Sequence, residues 1–163
     1  MSETASDDLL PPGVDPKAKK LGIRRVTGIN DAGTKTVCTV RDHQVITDEP
    51  FGSNEGPTPL ETTLAALVGC EGVIINRCAG AMGFSYSKVE IEAEGEVDGR
   101  GSRGVAGVRP YFNWVKLKIR LRSPETAERL HKLQRNVEFR CPVMNLMKSA
   151  DVDVEARWIL VPE

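Results

Sequence analysis

The sequence has few histidines, few aromatic residues and almost no net charge, and each shortage excludes a class of function. His43 and His131 are its only histidines, and none of its four cysteines forms a Cys-x-x-Cys pair. Structural zinc sites are built from such pairs and from closely spaced histidines, so no metal site is expected. Aromatics make up 5% of the 163 residues, too few for a platform on which bases or sugars stack. Against 23 acidic side chains stand 22 basic ones, a net charge of -1. Nucleic acid and anionic membranes both select an excess of Lys and Arg, so neither is expected as a partner.

Two further absences concern location. No uninterrupted apolar run approaches the roughly 20 residues of a bilayer span. The opening MSETASDDLLPPGVDPKAKK is polar and lacks the apolar segment of a secretory signal. The expected location is the cytoplasm, where thiols stay reduced. Cys38, Cys70, Cys78 and Cys141 then read as free thiols, and cysteine leads the candidates for any chemistry.

What is present reads as a flexible tail over residues 1–20 followed by a single α+β domain over 21–163. Strand-like segments Ile23–Ile29 and Thr34–Arg41 flank the turn Asn30-Asp31-Ala32-Gly33, and a third strand runs His43–Thr47. After a Gly/Pro loop, Thr58-Pro59-Leu60-Glu61 carries the start signals of a helix: a capping residue, a first-turn proline and a capping-box glutamate. That helix should run to Met82 and stop at Gly83. Its charges are only Glu61, Glu71 and Arg77, too few for a helix lying on a surface.

Phe84–Val97 and Tyr111–Arg122 alternate with period two and carry charge on one face, as antiparallel strands do. Ser123-Pro124-Glu125 opens a second helix, with Leu130, Leu133 and Val137 on one stripe. Cys141-Pro142 must break it, and a short helix over Pro142–Lys148 precedes a last strand, Asp151–Leu160. The expected architecture is an antiparallel sheet of about six strands with two main helices.

Candidate sites fall out by elimination. Gly99-x-Gly101-x-x-Gly104 matches a dinucleotide fingerprint only as a string, because a strand follows where the pyrophosphate needs a helix N-terminus. It reads as a flexible hairpin connection. His43 and His131 lack partners at ligand spacing. Advancing about 100° per residue along the first helix puts Cys78 in the middle of the aliphatic face of Leu60, Leu64, Leu67 and Ile75, as an inert core thiol.

Cys70 falls at the edge of that stripe, at a seam beside the small residues Ala65, Gly69, Gly72, Asn76 and Gly80. Cys38 sits mid-strand and reads as structural. Cys141 is the N-cap of the short helix, with Arg140 adjacent, a position that favours thiolate. Alternatively it is an ordinary helix break filled by a small buried residue.

Two segments carry a resemblance. Gly56-Pro57-Thr58-Pro59-Leu60-Glu61 with Leu64-Ala65-Ala66-Leu67-Val68-Gly69-Cys70, and Cys141-Pro142-Val143 placed 71 residues after Cys70, resemble the signature of the OsmC/Ohr superfamily over residues 23–161. The resemblance implies an intertwined α+β homodimer with the apolar helix packed across the two-fold. It implies a cysteine-based peroxidase acting on organic hydroperoxides, in which Cys70 attacks and Cys141 resolves the sulfenic acid to a disulfide. An external thiol or dithiol is the reductant, and no bound cofactor is implied.

In the hydroperoxide enzymes an Arg from the first hairpin and a helix Glu assist the nucleophile. Glu61 stands nine residues before Cys70, as in the YhfA-like branch, and about 180° around the helix from it. The hairpin Gly28–Thr34 holds no Arg, which leaves Arg24, Arg25, Arg41 and Arg140 as substitutes. These departures keep a rival open: a dimeric carrier holding an apolar small molecule at the subunit seam, with structural cysteines.

Overall fold

Three short strands, β1 (Thr27–Ile29), β2 (Thr36–Val40) and β3 (His43–Thr47), form an antiparallel sheet in sequence order. A computed structural model describes Asp15 and residues 17–163. Most of the expected tail lies outside the described residues; Lys17–Lys20 are exposed. Within the described residues, those up to Thr63 form one compact unit and Leu64–Glu163 another.

In the first unit the β1–β2 turn is closed by Asn30, whose amide Nδ2 donates to the carbonyl of Lys35 at 2.9 Å and of Gly33 at 3.1 Å. The left-handed position falls on Ala32, with φ of 59°, and not on the glycine that follows. The loop after β3 is organised by Asp48, which is fully buried. Its carboxylate accepts from Thr34 Oγ1 at 2.7 Å, Ser53 Oγ at 2.7 Å, and the amides of Glu49 and Glu55 at 2.8 and 3.1 Å. Those four donors, the Thr34 hydroxyl foremost, hold its pKa well below the usual carboxylate range.

Helix α1 (Pro59–Met82) starts where the capping signals place it. Thr58 N donates to Glu61 Oε2 at 2.7 Å and Glu61 N to Thr58 Oγ1 at 3.2 Å, the reciprocal capping box. It ends at Gly83, whose φ of 58° lets Phe84 N reach the carbonyl of Ala79 at 2.9 Å. By length and composition α1 suffices to cross a bilayer, which a search for uninterrupted apolar runs misses because Glu71 and Arg77 interrupt it. Leu67, Glu71, Ile74, Ile75, Cys78 and Ala79 are nevertheless buried along it, and the apolar ones belong to the core of the second unit.

The second unit holds a sheet of β4 (Lys88–Glu96), β5 (Trp114–Arg122) and β6 (Asp153–Val161), in that order. The six strands thus form two three-stranded sheets, where one sheet is expected from the sequence. The second sheet is also not wholly antiparallel. β4 and β5 run antiparallel, but β5 and β6 are parallel. The helices α3 (Ala127–Arg140) and α4 (Pro142–Ser149) link β5 to β6, and such a crossover returns the chain in the same direction.

Alternation divides the sheet's faces. Val115, Leu117, Ile119 and Leu121 of β5 are buried with Leu130, Leu133 and Val137 of α3, while Glu90, Glu92 and Glu94 pair with Arg120, Lys118 and Lys116 on the other face. The Gly99 segment is not an open loop: it folds into a one-turn helix, α2 (Gly99–Ser102), capped by the Asp98 side chain.

The start of α3 differs from expectation. Thr126 caps it, accepting from Arg129 N, and the helix begins three residues beyond Pro124. Ser123 instead donates to the Ser85 carbonyl at 2.6 Å. Glu125 accepts from Ser85 N and from Arg129, whose guanidinium also donates to the carbonyls of Met82 and Gly83. A cation on the last carbonyls of α1 complements its dipole and pins its C-terminus to α3.

Candidate active site

Cys70 and Cys141 come together. Cys70, half-buried on α1, lies with its Sγ 3.3 Å from Sγ of Cys141 at the junction of α3 and α4. A bonded pair needs about 2.05 Å, so closing a disulfide requires a shift of little more than about an ångström.

The corner that presents Cys141 follows from its sequence. Pro142 has no N–H to continue α3, so Cys141 N ends that helix on the Val137 carbonyl at 2.8 Å. The Cys141 carbonyl then starts α4 by accepting from Asn145 N at 3.0 Å. Asn145 also turns its side-chain amide back to the carbonyls of Cys141 at 2.8 Å, Glu138 at 2.9 Å and Phe139 at 3.2 Å. Those of Glu138 and Phe139 are carbonyls that the end of α3 leaves open. Asn145 gives no sequence signal beyond its position four residues after a Cys-Pro break.

The protonation expected of Cys141 is overturned. Its thiol is driven far above the ordinary thiol range, by burial first and then by the Glu71 carboxylate, with Cys70 adding to both. The amide of Met144, third in α4, pulls the other way but not enough. Cys141 is fully buried and makes no side-chain capping bond, so the helix N-terminus does not produce a thiolate there. Arg140, its neighbour in sequence, points elsewhere: Nη1 donates to Cys78 Sγ at 3.4 Å. Cys78 is buried in the core, as expected, and its thiol is also raised by burial, with Arg140 opposing.

Glu71, the residue after Cys70, is the site group that sequence reasoning missed. It is fully buried, and neither carboxyl oxygen has a hydrogen-bond partner of regular geometry. Burial raises its pKa; the Cys141 thiol opposes the rise, Glu138 adds to it and Lys148 opposes it. The signal available was one charge on the buried stripe of an apolar helix.

The remaining candidates are placed as follows. Glu61 is engaged in its capping box, which lowers its pKa chiefly through the Thr58 amide. Arg24 donates to the adjacent Ile23 carbonyl, Arg41 takes the left-handed position between β2 and β3 with φ of 55°, and Arg24, Arg25 and Arg41 are all exposed. Cys38 is half-buried in β2. His43 and His131 are exposed. Among the described residues no cluster of three or more His, Cys, Asp or Glu could hold a metal.

The profile of the OsmC-like protein family matches residues 52–157, well over half of the chain and both site cysteines. The chain belongs to the OsmC-like family. Among curated proteins none matches the sequence. Solved structures share the OsmC-like fold. The OsmC-like protein from Mycoplasma pneumoniae aligns with a TM-score of 0.75 at 20% identity, covering 86% of this chain and 98% of that one. An organic hydroperoxide resistance protein OsmC from Legionella pneumophila aligns at 0.65 and 18% identity, covering 88% and 100%. An organic hydroperoxide resistance protein from Elizabethkingia anophelis aligns at 0.65 and 14%, covering 90% and 100%. At these identities the likeness is one of fold. The mixed α+β architecture of this OsmC-like chain is therefore that of its family.

Proposed function

We propose that the protein is a cytoplasmic, homodimeric thiol peroxidase that reduces organic hydroperoxides. The observation that carries the reading is the 3.3 Å approach of Cys70 and Cys141. OsmC-like membership, and neighbours of this fold named for organic hydroperoxide resistance, support it.

In this reading the Cys70 thiolate attacks the peroxide oxygen farther from the carbon group. The O–O bond breaks, the alcohol leaves, and Cys70 becomes a sulfenic acid. Cys141 condenses with it, releasing water and forming the disulfide. An external thiol or dithiol then reduces the disulfide by exchange. A buried thiol suits the resolving role, because it stays protonated and does not compete for peroxide. Glu61, held by its own capping box, takes no part within its chain.

The dimer rests on α1. Ala65, Ala66, Gly69, Val73, Asn76 and Gly80 are exposed along one face of an apolar helix, and small residues there allow a second helix to approach closely. Sedimentation equilibrium tests this, with twice the chain mass expected and a chain-mass species against it. Steady-state consumption of cumene hydroperoxide with dihydrolipoamide tests the chemistry. Cys70→Ser is expected to abolish turnover, and unchanged turnover removes Cys70 as the nucleophile.

A second reading has one observation in its favour: Arg140 and Glu61 are both engaged away from Cys70. In it the dimer carries an apolar molecule at the seam and the cysteines are structural. Thiols left intact by hydroperoxide, together with a co-purifying hydrophobe, support that reading over the first.

A further inference from the structure

Resting on the reading of Cys70 and Cys141 as a redox pair, we infer that Glu71 is the general base of the resolving step, taking the Cys141 thiol proton as Cys141 attacks Cys70. Glu71 follows Cys70 in sequence, is fully buried, and has no hydrogen-bond partner of regular geometry to occupy it. Buried carboxylates in proteins are paired; one left open beside a buried thiol is available to that thiol.

The Cys141 thiol has one proton and two acceptors beside it. One is Cys70 Sγ at 3.3 Å, and the other is the Glu71 carboxylate. While Cys70 is a thiolate, the proton points to its sulfur and steadies it. Once Cys70 is a sulfenic acid its sulfur is an electrophile, and the proton turns to Glu71.

The step then balances. A sulfur lone pair of Cys141 forms the S–S bond while the Cys70 S–O bond breaks and its electron pair leaves with oxygen. The Cys141 proton passes to Glu71 and on to the departing hydroxide, which leaves as water. Cys70 is reduced, Cys141 is oxidised, and Glu71 ends as it began.

The need for a base is specific to this corner. Burial holds Cys141 as a thiol, and the thiolate is the nucleophile. Burial also makes Glu71 a stronger base than an exposed carboxylate, closer to the thiol it must deprotonate. Glu138 on α3 reinforces this, while Lys148 on α4 and the Cys141 thiol itself oppose it. Cys78 is the other buried thiol influenced by Glu71, and its cation is Arg140.

A peroxide-free assay isolates the step. Cys70 is converted to its mixed disulfide with dithiobis(nitrobenzoate) in a Cys38→Ser background, and mass mapping confirms the site. Attack by Cys141 then expels the second coloured thiolate in a single exponential. Glu71→Gln is expected to slow that release by about 100-fold. Its rate should rise about tenfold per pH unit between about pH 6 and 8, as hydroxide replaces the lost base, while wild type varies far less. Glu71→Asp keeps a carboxylate and should recover most of the rate, which a merely structural role does not predict.

Release from a folded Glu71→Gln variant within about twofold of wild type overturns the inference, as does Glu71→Asp as slow as Glu71→Gln. Cumene hydroperoxide is applied separately to wild type. Failure to oxidise Cys70 there defeats the peroxidase reading, while the mixed-disulfide assay still decides the role of Glu71.

Discussion

Arg140 donates to Cys78 across 3.4 Å and not to Cys141, its neighbour in sequence. The guanidinium therefore serves a buried core thiol and not the junction thiol. Arg140→Met is expected to leave Cys70–Cys141 disulfide formation unchanged and to cost about 1 kcal/mol of stability, less than the roughly 1.5–3 kcal/mol of a hydrogen bond to a charged group, since the acceptor is a weak sulfur. Urea unfolding checks the second expectation and thiol counting after oxidation the first. A variant that no longer closes the disulfide assigns Arg140 to the site.

Asn145 fixes the corner from which Cys141 faces Cys70. Asn145→Ala removes its bonds to the carbonyls of Glu138, Phe139 and Cys141. The expected loss is about 1–2 kcal/mol in denaturant unfolding. Disulfide closure should also slow, because the two sulfurs are no longer held in register. A variant that loses stability but closes at the wild-type rate shows that the proline break alone positions Cys141.

Glu71 makes stability depend on pH in a direction opposite to most carboxylates. Its folded pKa lies above the ordinary 4.5, so the folded state binds more protons than the unfolded one above that pH. The contribution of Glu71 is therefore fully present below about pH 4.5 and is lost as pH rises towards its folded value. Glu71→Gln removes that loss. Its melting temperature should exceed that of wild type by a margin that widens as pH rises above about 4.5. A constant margin means that Glu71 is not the group titrating.

Asp48 acts with the opposite sign. Four donors depress its pKa below the ordinary 3.8, so its contribution is fully present above that pH and fades as pH falls below it. Asp48→Asn turns one acceptor into a donor facing donors and should be less stable than wild type near neutrality. The difference in melting temperature should shrink as pH drops from about 4 to about 2. A difference that stays fixed over that interval contradicts the assignment.

Much of this was legible in the sequence, for identifiable reasons. The capping box at Thr58 and Glu61, the stop at Gly83 and the break at Cys141-Pro142 are local rules, and the chain obeys them at those residues. Period-two alternation locates β4 and β5, and the closing segment reads as the last strand, but neither reading fixes a direction for β6. Only the crossover through α3 and α4 makes β5 and β6 parallel. The α3 start was misplaced because Ser123 had a stronger tertiary partner, the Ser85 carbonyl, than the helix it precedes.

At the site, helical geometry placed Cys78 in the core and Cys70 at an edge, since both depend on one helix. The state of Cys141 was not legible. A helix N-terminus and an adjacent Arg argue for thiolate locally, and burial beside Glu71 outweighs them. That balance belongs to two segments distant in sequence.

The central claim is that Cys70 and Cys141 form a redox pair. Mass mapping of the protein after one equivalent of cumene hydroperoxide tests it most directly. The account predicts a Cys70–Cys141 disulfide, with Cys38 and Cys78 still alkylatable after denaturation. Cys70 and Cys141 both recovered as free thiols, or Cys70 bonded to another cysteine, contradicts it.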